Sequence, residues 1–378
     1  MSNAPTLFTF FSGAGFLDLG FSDSGYKIVF VNEYHKPFLD TYIYSRQVLQ
    51  HPEPEFGYHL KDISNFTKDP EKCELHEMIQ ICRSRNELIG FIGGPPCPDF
   101  SVGGKNRGSE GENGKLTATY VNLICQQQPD FFVFENVKGL WRTKKHREFF
   151  ESMKATLHEH GYSTTERLID AIEYGVPQQR ERIILIGFKT EILKNRGFEI
   201  EKGVMLDDIF PWMNRIKFSK ERLQKIPFPT QDPFQEDGQL AKPAGVPEEL
   251  TVEYWFNKND VYYHPNALDF FQPRAGLAKF LVIPEGDDSK KSYKRLHRWR
   301  YSPTAAYGNN EVHLHPYKAR RLSVSEALAI QSLPKSFALP PDITLSNAFK
   351  TIGNGVPYLA AKGIADTILD FLQQTEKR

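Results

Sequence analysis

The sequence predicts an α/β fold, because apolar runs of strand length alternate with stretches whose apolar residues have helical spacing. The runs lie at 7–11, 28–31, 88–92 and 130–134. A glycine-rich turn at 12–15 follows the first run, as in the unit that binds the cofactor in Rossmann-like folds. An ordinary tight turn explains these glycines equally well. The alternation ends near residue 190, so the remainder is a second domain or an insertion.

Length and composition limit the classes of protein. A chain of 378 residues is too long for one ordinary core. A hydrophobic fraction of 40% with 25% charged residues is typical of a folded soluble protein. The formal net charge is zero, so a nucleic-acid surface would have to come from a local basic segment. No signal peptide and no apolar run of membrane-spanning length occur, and we therefore expect no membrane association.

The cysteines indicate neither a disulfide framework nor a metal site, because none is arranged as C-x-x-C. We therefore expect no metal and a reducing, cytoplasmic environment. The four are Cys73, Cys82, Cys97 and Cys125.

Periodicity and capping predict the other elements. Ser323 and Glu326 form a capping box that starts a helix, and the break at 353–357 precedes a last helix that ends near 373. Asp62 and Ile63 end a weakly indicated third strand. Further helices are predicted at 35–49, 66–86, 116–128 and 143–160, and strands at 162–172 and 182–188.

One cysteine stands in a rigid loop directly after a buried strand. The loop is Gly93-Gly94-Pro95-Pro96-Cys97-Pro98-Asp99-Phe100-Ser101. Glycine permits close approach to a ligand, and the prolines fix the backbone on both sides of the thiol. Ligands bind at the carboxyl ends of such strands. Cys97 is therefore a candidate nucleophile, while a small buried hydrophobic residue remains an equal alternative.

Two carboxylates lie at predicted strand ends. Glu33 stands at the end of the second strand about 20 residues after the glycine turn, the position that suits a ribose diol, although it could also be a helix-capping or solvated acid. Glu135 follows the apolar run 130–134. A carboxylate at the tip of an apolar strand is costly to bury unless it is paired or used, which favours function over capping.

Three basic features are candidates for anion binding. Arg180 and Arg182, two apart, are predicted to share a strand face and suit a phosphate or a planar carbonyl edge. The long glycine-rich loop 102–115 suits a lid over a polyanion. The segment 290–301 carries six Lys or Arg residues between aromatic ones and suits phosphates and stacked bases. An ordinary solvated surface is the alternative explanation for both the arginine pair and the basic segment.

Six motifs occur in an order that resembles the cytosine-5 DNA methyltransferases. They are Phe11-Ser12-Gly13-Ala14-Gly15, Gly94-Pro95-Pro96-Cys97 with Phe100-Ser101, Glu135-Asn136-Val137, Gln178-Gln179-Arg180-Glu181-Arg182, the stretch from Arg321-Leu322 to Pro334, and Gly353-Asn354-Gly355-Val356. Only the stretch near 190–317 lacks a motif, and there the family keeps its variable target-recognition domain. The chain departs from the family pattern at Thr9, where Asp is usual, at Phe16, often Gly, and at Pro98, usually Gln.

The resemblance implies a Rossmann-like S-adenosylmethionine-dependent methyltransferase domain, with a mixed, mostly parallel sheet and helices on both faces. It adds a smaller, irregular target-recognition domain. The implied divisions are 1–190 (catalytic and cofactor-binding), 191–317 (target-recognition), 318–345 (hinge and late-motif helix) and 346–378 (C-terminal segment returning to the catalytic domain). The compact length implies a bacterial restriction-modification enzyme, a monomer of the cytoplasm that associates with the nucleoid through double-stranded DNA.

The resemblance also assigns catalytic roles. Cys97 would add to C6 of a flipped-out cytosine and so activate C5 for methylation. Glu135 would bind the N3/N4 edge, Arg182 would hold O2, and Arg180 would support the pocket and a nearby phosphate.

For S-adenosylmethionine the resemblance implies a set of contacts that begins at the glycine turn. The cofactor residues are Phe11, Ser12, Gly13, Gly15, Phe16, Glu33, Tyr34, Asp62, Ile63, Gly94, Pro95, Asn354 and Val356. The candidate DNA-binding residues are Ser101, Lys105, Arg107, Lys290, Lys291, Lys294, Arg295 and Arg298.

Three alternatives belong to other classes. An RNA (tRNA) cytosine-5 methyltransferase could use the same scaffold, and comparing tRNA with duplex DNA as methyl acceptor separates the two. A nicotinamide-dependent oxidoreductase would bind a dinucleotide and leave Cys97 and Glu135 idle. A catalytically silent DNA-binding protein would lack activity despite these residues.

Overall fold

In the computed structural model a single mixed sheet organises the chain, in the order β3-β2-β1-β4-β5-β7-β6. The structure describes residues 4–96, 112–200, 203–205, 209–273, 277–307 and 311–375. The strands are β1 (Thr6–Phe10), β2 (Lys27–Glu33), β3 (Tyr58–Leu60), β4 (Ile89–Gly93), β5 (Phe131–Val137), β6 (Tyr162–Asp170) and β7 (Glu181–Lys189). Strands β1 to β5 are parallel, and β7 is antiparallel to both neighbours. The predicted mixed, mostly parallel sheet is confirmed.

The helices follow the predicted positions closely in the first half of the chain. They are α1 (Phe16–Ser22), α2 (Lys36–Val48), α3 (Glu74–Ser84), α4 (Glu112–Gln127), α5 (Gly139–Arg142), α6 (Lys144–Glu159), α7 (Thr190–Asn195), α8 (Lys220–Gln224), α9 (Val252–Lys258), α10 (Leu277–Phe280), α11 (Val324–Ile330), α12 (Leu345–Asn354) and α13 (Tyr358–Thr375). The capping box of Ser323 and Glu326 at α11 is confirmed. Helix α12 was not predicted.

Both faces of the sheet are covered, because its buried strands are apolar on both sides. Phe8 and Phe91 pack on one face against α3, α4 and α6. Leu7 and Ile184 pack on the other face against α1 and α13. The helices on both faces, predicted from the resemblance, are therefore confirmed.

A third apolar cluster joins the later part of the chain to the sheet domain. Phe16 of α1 packs there with Trp255, Leu328 and Ile352, which come from α9, α11 and α12. Between residues 209 and 317 the described chain contains short helices and isolated bridges. This agrees with the predicted irregular region, while the four domain divisions stay predictions.

Two negative findings concern the described residues. In that part of the chain, no helix has both the length and the apolar character needed to cross a membrane. No group of three or more His, Cys, Asp or Glu side chains there is placed to hold a metal ion.

Candidate active site

The candidate site lies at the edge where the parallel strands have their carboxyl ends. Phe10 of β1 is in register with Gly93 of β4, and Gly93 is in register with Phe134 of β5. The glycine turn, the loop toward Cys97 and Glu135 therefore leave the sheet side by side. This is the edge at which open α/β sheets bind ligands.

The glycine turn packs closely against side chains at Gly15 and borders open space at Gly13. Gly15 has a φ of +78°, and a Cβ there would lie 2.5 Å from Nη2 of Arg46 and from the ring of Tyr42. Arg46 is buried and donates a 2.5 Å hydrogen bond to the Gly15 carbonyl. At Gly13, with a φ of +56°, a Cβ would meet nothing within 4 Å. Sequence analysis missed Arg46, since its charge gives no sign of burial.

Glu33 fastens this turn to β2. Its Oε2 accepts a 2.9 Å hydrogen bond from the Gly13 amide, and its Oε1 accepts a 2.8 Å bond from the His35 amide. The side chain is buried in the second strand. A carboxylate oxygen accepts more than one hydrogen bond, so Glu33 retains acceptor capacity for the predicted ribose diol.

The departure at Thr9 is accommodated locally. Its hydroxyl lies 2.9 Å from Oγ of Ser12 and donates to the Phe30 carbonyl at 3.2 Å. Asp18 of α1 is also buried, and burial raises the pKa of its carboxyl to about 6 against the opposing effect of Arg46. An acidic group therefore still lies behind the glycine turn, but it comes from α1.

We expect Gly15→Ala to lower the free energy of unfolding by about 3 kcal/mol, because overpacking adds to the left-handed strain. Gly13→Ala is the matched control and should cost only about 1 kcal/mol, since its Cβ meets no atom. Urea unfolding measures both. Equal losses of unfolding free energy in the two variants would show that Arg46 and Tyr42 move to accommodate the new methyl group.

The remaining predicted cofactor residues border this edge. The Phe11 ring packs edge-on against Tyr120, with ring centroids 5.9 Å apart. Asp62 caps the short helix Ile63–Phe66 by accepting from the Ser64 amide at 2.8 Å. Tyr34 is 71% exposed and Ile63 is buried. Their contacts with a cofactor stay predictions.

The second departure from the family pattern, Phe16, has a packing role. The residue is buried, and a Cβ at Gly355 would lie 2.2 Å from its ring. Its ring also meets Phe337 edge-on at 5.3 Å. The Phe16 side chain thus joins the first motif to the last, close to Asn354 and the buried Val356. A cofactor contact by Phe16 or by these two residues stays a prediction.

The acid of the third motif forms a buried ion pair. Glu135 lies in the last part of β5, which ends at Val137 as predicted, and its Oε1 is 2.9 Å from Nε of Arg182. Burial raises the pKa of Glu135, while the positive charges of Arg182 and Arg180 oppose the rise. A carboxyl in this setting is suited to carry a proton to a ring nitrogen.

The loop toward the predicted nucleophile passes directly over this carboxylate. A Cβ at Gly94 would lie 2.6 Å from Oε2 of Glu135, so a larger residue there would have to displace this carboxylate. Nδ2 of Asn136 donates to the Pro95 carbonyl at 3.4 Å. The backbone is thereby led from β4 across Glu135. Cys97 lies outside the described residues, as do Ser101, Lys105 and Arg107.

The predicted phosphate contact of Arg180 is wrong. The residue directly precedes β7, and its charge, like that of Arg182, acts on Glu135. Its guanidinium is fully buried and donates to the carbonyls of Ala305 at 2.9 Å and Gly353 at 2.6 Å. Burial lowers the pKa of Arg180 well below its usual range. A guanidinium so enclosed does not face a phosphate, and it joins the start of β7 to the last motif instead.

Gln178 makes the same kind of connection, which sequence analysis missed. Its Oε1 accepts from the Ala305 amide at 3.1 Å, and its Nε2 donates to Oε1 of Gln331 at 3.3 Å. Gln331 in turn donates to the Ile352 carbonyl at 2.7 Å. The motif 178–182 therefore holds three distant parts of the chain together.

Two of the predicted DNA contacts in the basic segment are also wrong. Arg295 is fully buried, and its guanidinium donates to the backbone carbonyls of 280, 283, 315, 316 and 318. Arg298 is buried and pairs with Glu285 at 2.8 Å. Neither side chain can reach a phosphate. Lys290 and Lys291 are exposed and Lys294 is half-buried, and their DNA contacts stay predictions.

We expect Arg295→Ala to lower the free energy of unfolding by about 3 kcal/mol or more, because several buried carbonyls lose their donor. The salt dependence of DNA binding by the folded variant should stay unchanged. Lys290→Ala is the control and should alter stability by less than about 0.5 kcal/mol. A weaker salt dependence of DNA binding in the folded Arg295→Ala variant would show that Arg295 contacts DNA.

The fold and the site together define a Rossmann-like methyltransferase. The chain belongs to the C-5 cytosine-specific DNA methylase family, whose family model matches residues 6–370. The predicted fold class and the predicted enzyme class are therefore confirmed. The family supports DNA cytosine-5 methylation over the RNA methyltransferase and the oxidoreductase, and a methyl-transfer assay is the test of the catalytically silent alternative.

Individual relatives agree with this assignment. The chain is 57% identical over 373 residues to the Type II methyltransferase M.NmeDI of Neisseria meningitidis serogroup C, covering 98% of this chain and 85% of the relative. It is 28% identical to the Type II methyltransferase M.FnuDI of Fusobacterium nucleatum, covering 96% and 95%.

Solved structures support the fold alone, because their sequences are distant. One, described as a DNA modification methyltransferase encoded within a prophage of E. coli, has a TM-score of 0.65 at 21% identity and covers 98% of this chain and 100% of that chain. The Dnmt2 methyltransferase of S. pombe has a TM-score of 0.57 at 12% identity, covering 98% and 99%.

Proposed function

We propose that the protein transfers a methyl group from S-adenosylmethionine to C5 of a cytosine flipped out of duplex DNA, with Cys97 as the nucleophile. The observation that carries the proposal is the buried Glu135–Arg182 pair, over which the Gly94–Pro95 backbone leads toward Cys97. Because relatives bear the name Type II methyltransferase, we assign the protein to a bacterial restriction-modification system. We also propose a monomer in the cytoplasm that associates with the nucleoid through DNA.

The residues of the glycine turn fit the proposed cofactor. The space in front of Gly13 is open, whereas Arg46 and Tyr42 close the space behind Gly15. Glu33 is fixed by two backbone amides and retains acceptor capacity for a diol. We propose that Glu33 and Asp62 hold the nucleoside part and that the turn holds the methionine part. When bound, the cofactor supplies an electrophilic methyl group.

The proposed reaction begins with attack of the Cys97 thiolate on C6 of the cytosine. A bond forms between Sγ and C6, and the electron pair of the C5–C6 double bond moves toward the ring carbonyl and N3. Glu135 donates a proton to N3, which its raised pKa favours, and Arg182 stabilises charge at O2. The resulting enamine makes C5 nucleophilic, and C5 accepts the methyl group. The C5 proton then leaves to water, the C6–Sγ bond breaks with departure of the thiolate, and N3 returns its proton to Glu135, which restores the ring.

The test is covalent trapping with duplex DNA that contains 5-fluorocytosine in varied sequence contexts. Fluorine at C5 cannot leave as a proton does, so the protein mixed with S-adenosylmethionine should remain bonded to the DNA through Cys97. Mass spectrometry of the denatured complex locates the bond, and the trapped DNA gives the target sequence. The Cys97→Ser variant is the control. An adduct formed with tRNA and never with duplex DNA would overturn the proposed substrate.

A further inference from the structure

A basic segment follows the strand that carries Glu135. Residues 138–147 contain five Lys or Arg residues and no acidic residue. The five are Lys138, Arg142, Lys144, Lys145 and Arg147. The segment includes α5 and the start of α6. The chain therefore enters this segment directly after the strand that carries Glu135.

Contacts fix this segment beside the catalytic residues. Lys138 forms an ion pair with Glu181, the residue between Arg180 and Arg182. Leu140 is fully buried in the core on one face of the sheet. Arg142 and Lys144, by contrast, are exposed. The buried Leu140 and the Lys138–Glu181 ion pair therefore anchor the backbone, and Arg142 and Lys144 face solvent in the segment that follows β5.

The positive charges of this segment lie at the N-terminus of α6, where they lower the stability of the helix. Helix α6 has Lys144 at its first position, no acidic residue in its first turn and no side-chain cap from Thr143. Cations are unfavourable at a helix N-terminus and anions are favourable there. A local arrangement that lowers helix stability is typical of a functional site. A bound anion would offset the unfavourable positive charge at this N-terminus.

The second basic segment, 290–301, differs because most of its charge is already neutralised. Arg295 and Arg298 are buried, Lys291 lies 3.4 Å from Glu311, and Arg300 lies 3.5 Å from Asp288. Within the part of the chain that the structure describes, neither Arg142 nor Lys144 forms an ion pair. Arg147 lies over the Trp141 ring at 3.4 Å and pairs with Glu151 at 3.3 Å. Arg142 and Lys144 of the segment 138–147 are therefore exposed and available to a polyanion.

We propose that the segment 138–147 binds the phosphate backbone of duplex DNA next to the flipped-out cytosine. The inference rests on the proposed function. When the cytosine occupies a pocket at Glu135, its own strand must pass over the same edge of the sheet. Arg142 and Lys144 stand at that edge with their charges exposed, and phosphate is the group with complementary charge. These side chains position the DNA without reading its sequence.

The test compares two double variants with the same loss of charge. Arg142→Gln with Lys144→Gln removes the proposed contacts. Lys27→Gln with Arg85→Gln removes two similarly exposed cations that stand at the start of β2 and before β4, at the opposite edge of the sheet. Binding of full-length protein to a duplex containing the trapped sequence is measured by fluorescence anisotropy at several KCl concentrations with S-adenosylmethionine present.

The slope of log K against log salt concentration should fall by about 1.8 in the first variant, since each lost phosphate contact removes about 0.9. It should stay at the wild-type value in the second variant. Methylation at saturating DNA should remain within twofold of wild type in the second variant, and circular dichroism with thermal unfolding shows that both variants are folded.

A wild-type slope in the first variant, or equal reductions in both variants, would overturn the inference. The trapping assay on the unaltered protein keeps this result separate from the proposed function. An adduct with duplex DNA together with an unchanged slope would reject only the role of 138–147. Trapping with tRNA alone would reject the DNA substrate and this inference together.

Discussion

Replacing Cys97 by serine should lower methyl transfer by about 10⁴-fold or more, because the oxygen nucleophile is far less ionised than a thiol near neutral pH. A free cysteine has a pKa of about 8.5, so a useful fraction of thiolate is available or is easily formed on attack. Affinity for S-adenosylmethionine should stay within about twofold, since Cys97 has no role in the cofactor contacts. Transfer of a labelled methyl group to duplex DNA and isothermal titration with the cofactor measure the two effects.

The other cysteines provide the controls for this prediction. Burial raises the pKa of Cys82 to about 12 and that of Cys125 to about 11, so neither thiol supplies thiolate. Cys73 is half-buried and donates to the Pro70 carbonyl at 3.3 Å, a bond that a serine hydroxyl can also make. Cys73→Ser should therefore keep full activity. More than one per cent of wild-type activity in Cys97→Ser would rule out Cys97 as the nucleophile.

The features that sequence predicted well depend on short stretches of chain. The run 7–11 and the glycines after it determine a buried strand and a turn without help from distant residues. Ser323 and Glu326 satisfy each other within one helical turn, and the structure shows both hydrogen bonds of the capping box. Glu33 belongs here too, because the end of β2 fixes its place beside the first turn.

The features that sequence missed depend on partners far along the chain. Arg295 belongs to a run of cations that is typical of an exposed surface, yet backbone carbonyls of a neighbouring loop enclose it. Arg180 bonds to Gly353, which is 173 residues away. Periodicity within a window of residues carries no information about such partners. The buried guanidinium groups were therefore assigned to DNA on charge alone.

Replacing Glu135 by glutamine should lower kcat by about 10²- to 10⁴-fold, the usual contribution of a positioned acid. Glutamine keeps the size of the side chain but cannot donate an acidic proton to N3. The pKa of Glu135 is raised by burial, so the carboxyl keeps its proton to a higher pH than a free glutamic acid does and loses it as the pH rises through that pKa. Wild-type kcat should accordingly fall at high pH, and the glutamine variant should lack this decline.

A second ion pair separates this chemical effect from a loss of stability. Glu166 of β6 lies 2.7 Å from Nζ of Lys154, with partial burial on both sides, and β7 stands between its strand and the strand of Glu135. Glu166→Gln should reduce the free energy of unfolding by about 1–3 kcal/mol, as loss of a charged hydrogen-bond partner does, with kcat unchanged. Glu135→Gln leaves Arg182 without its carboxylate and should be destabilised at least as much. If both variants lost stability and both kept wild-type kcat with the decline at high pH, the carboxyl of Glu135 would be a structural partner of Arg182 and the proton for N3 would have to come from another group.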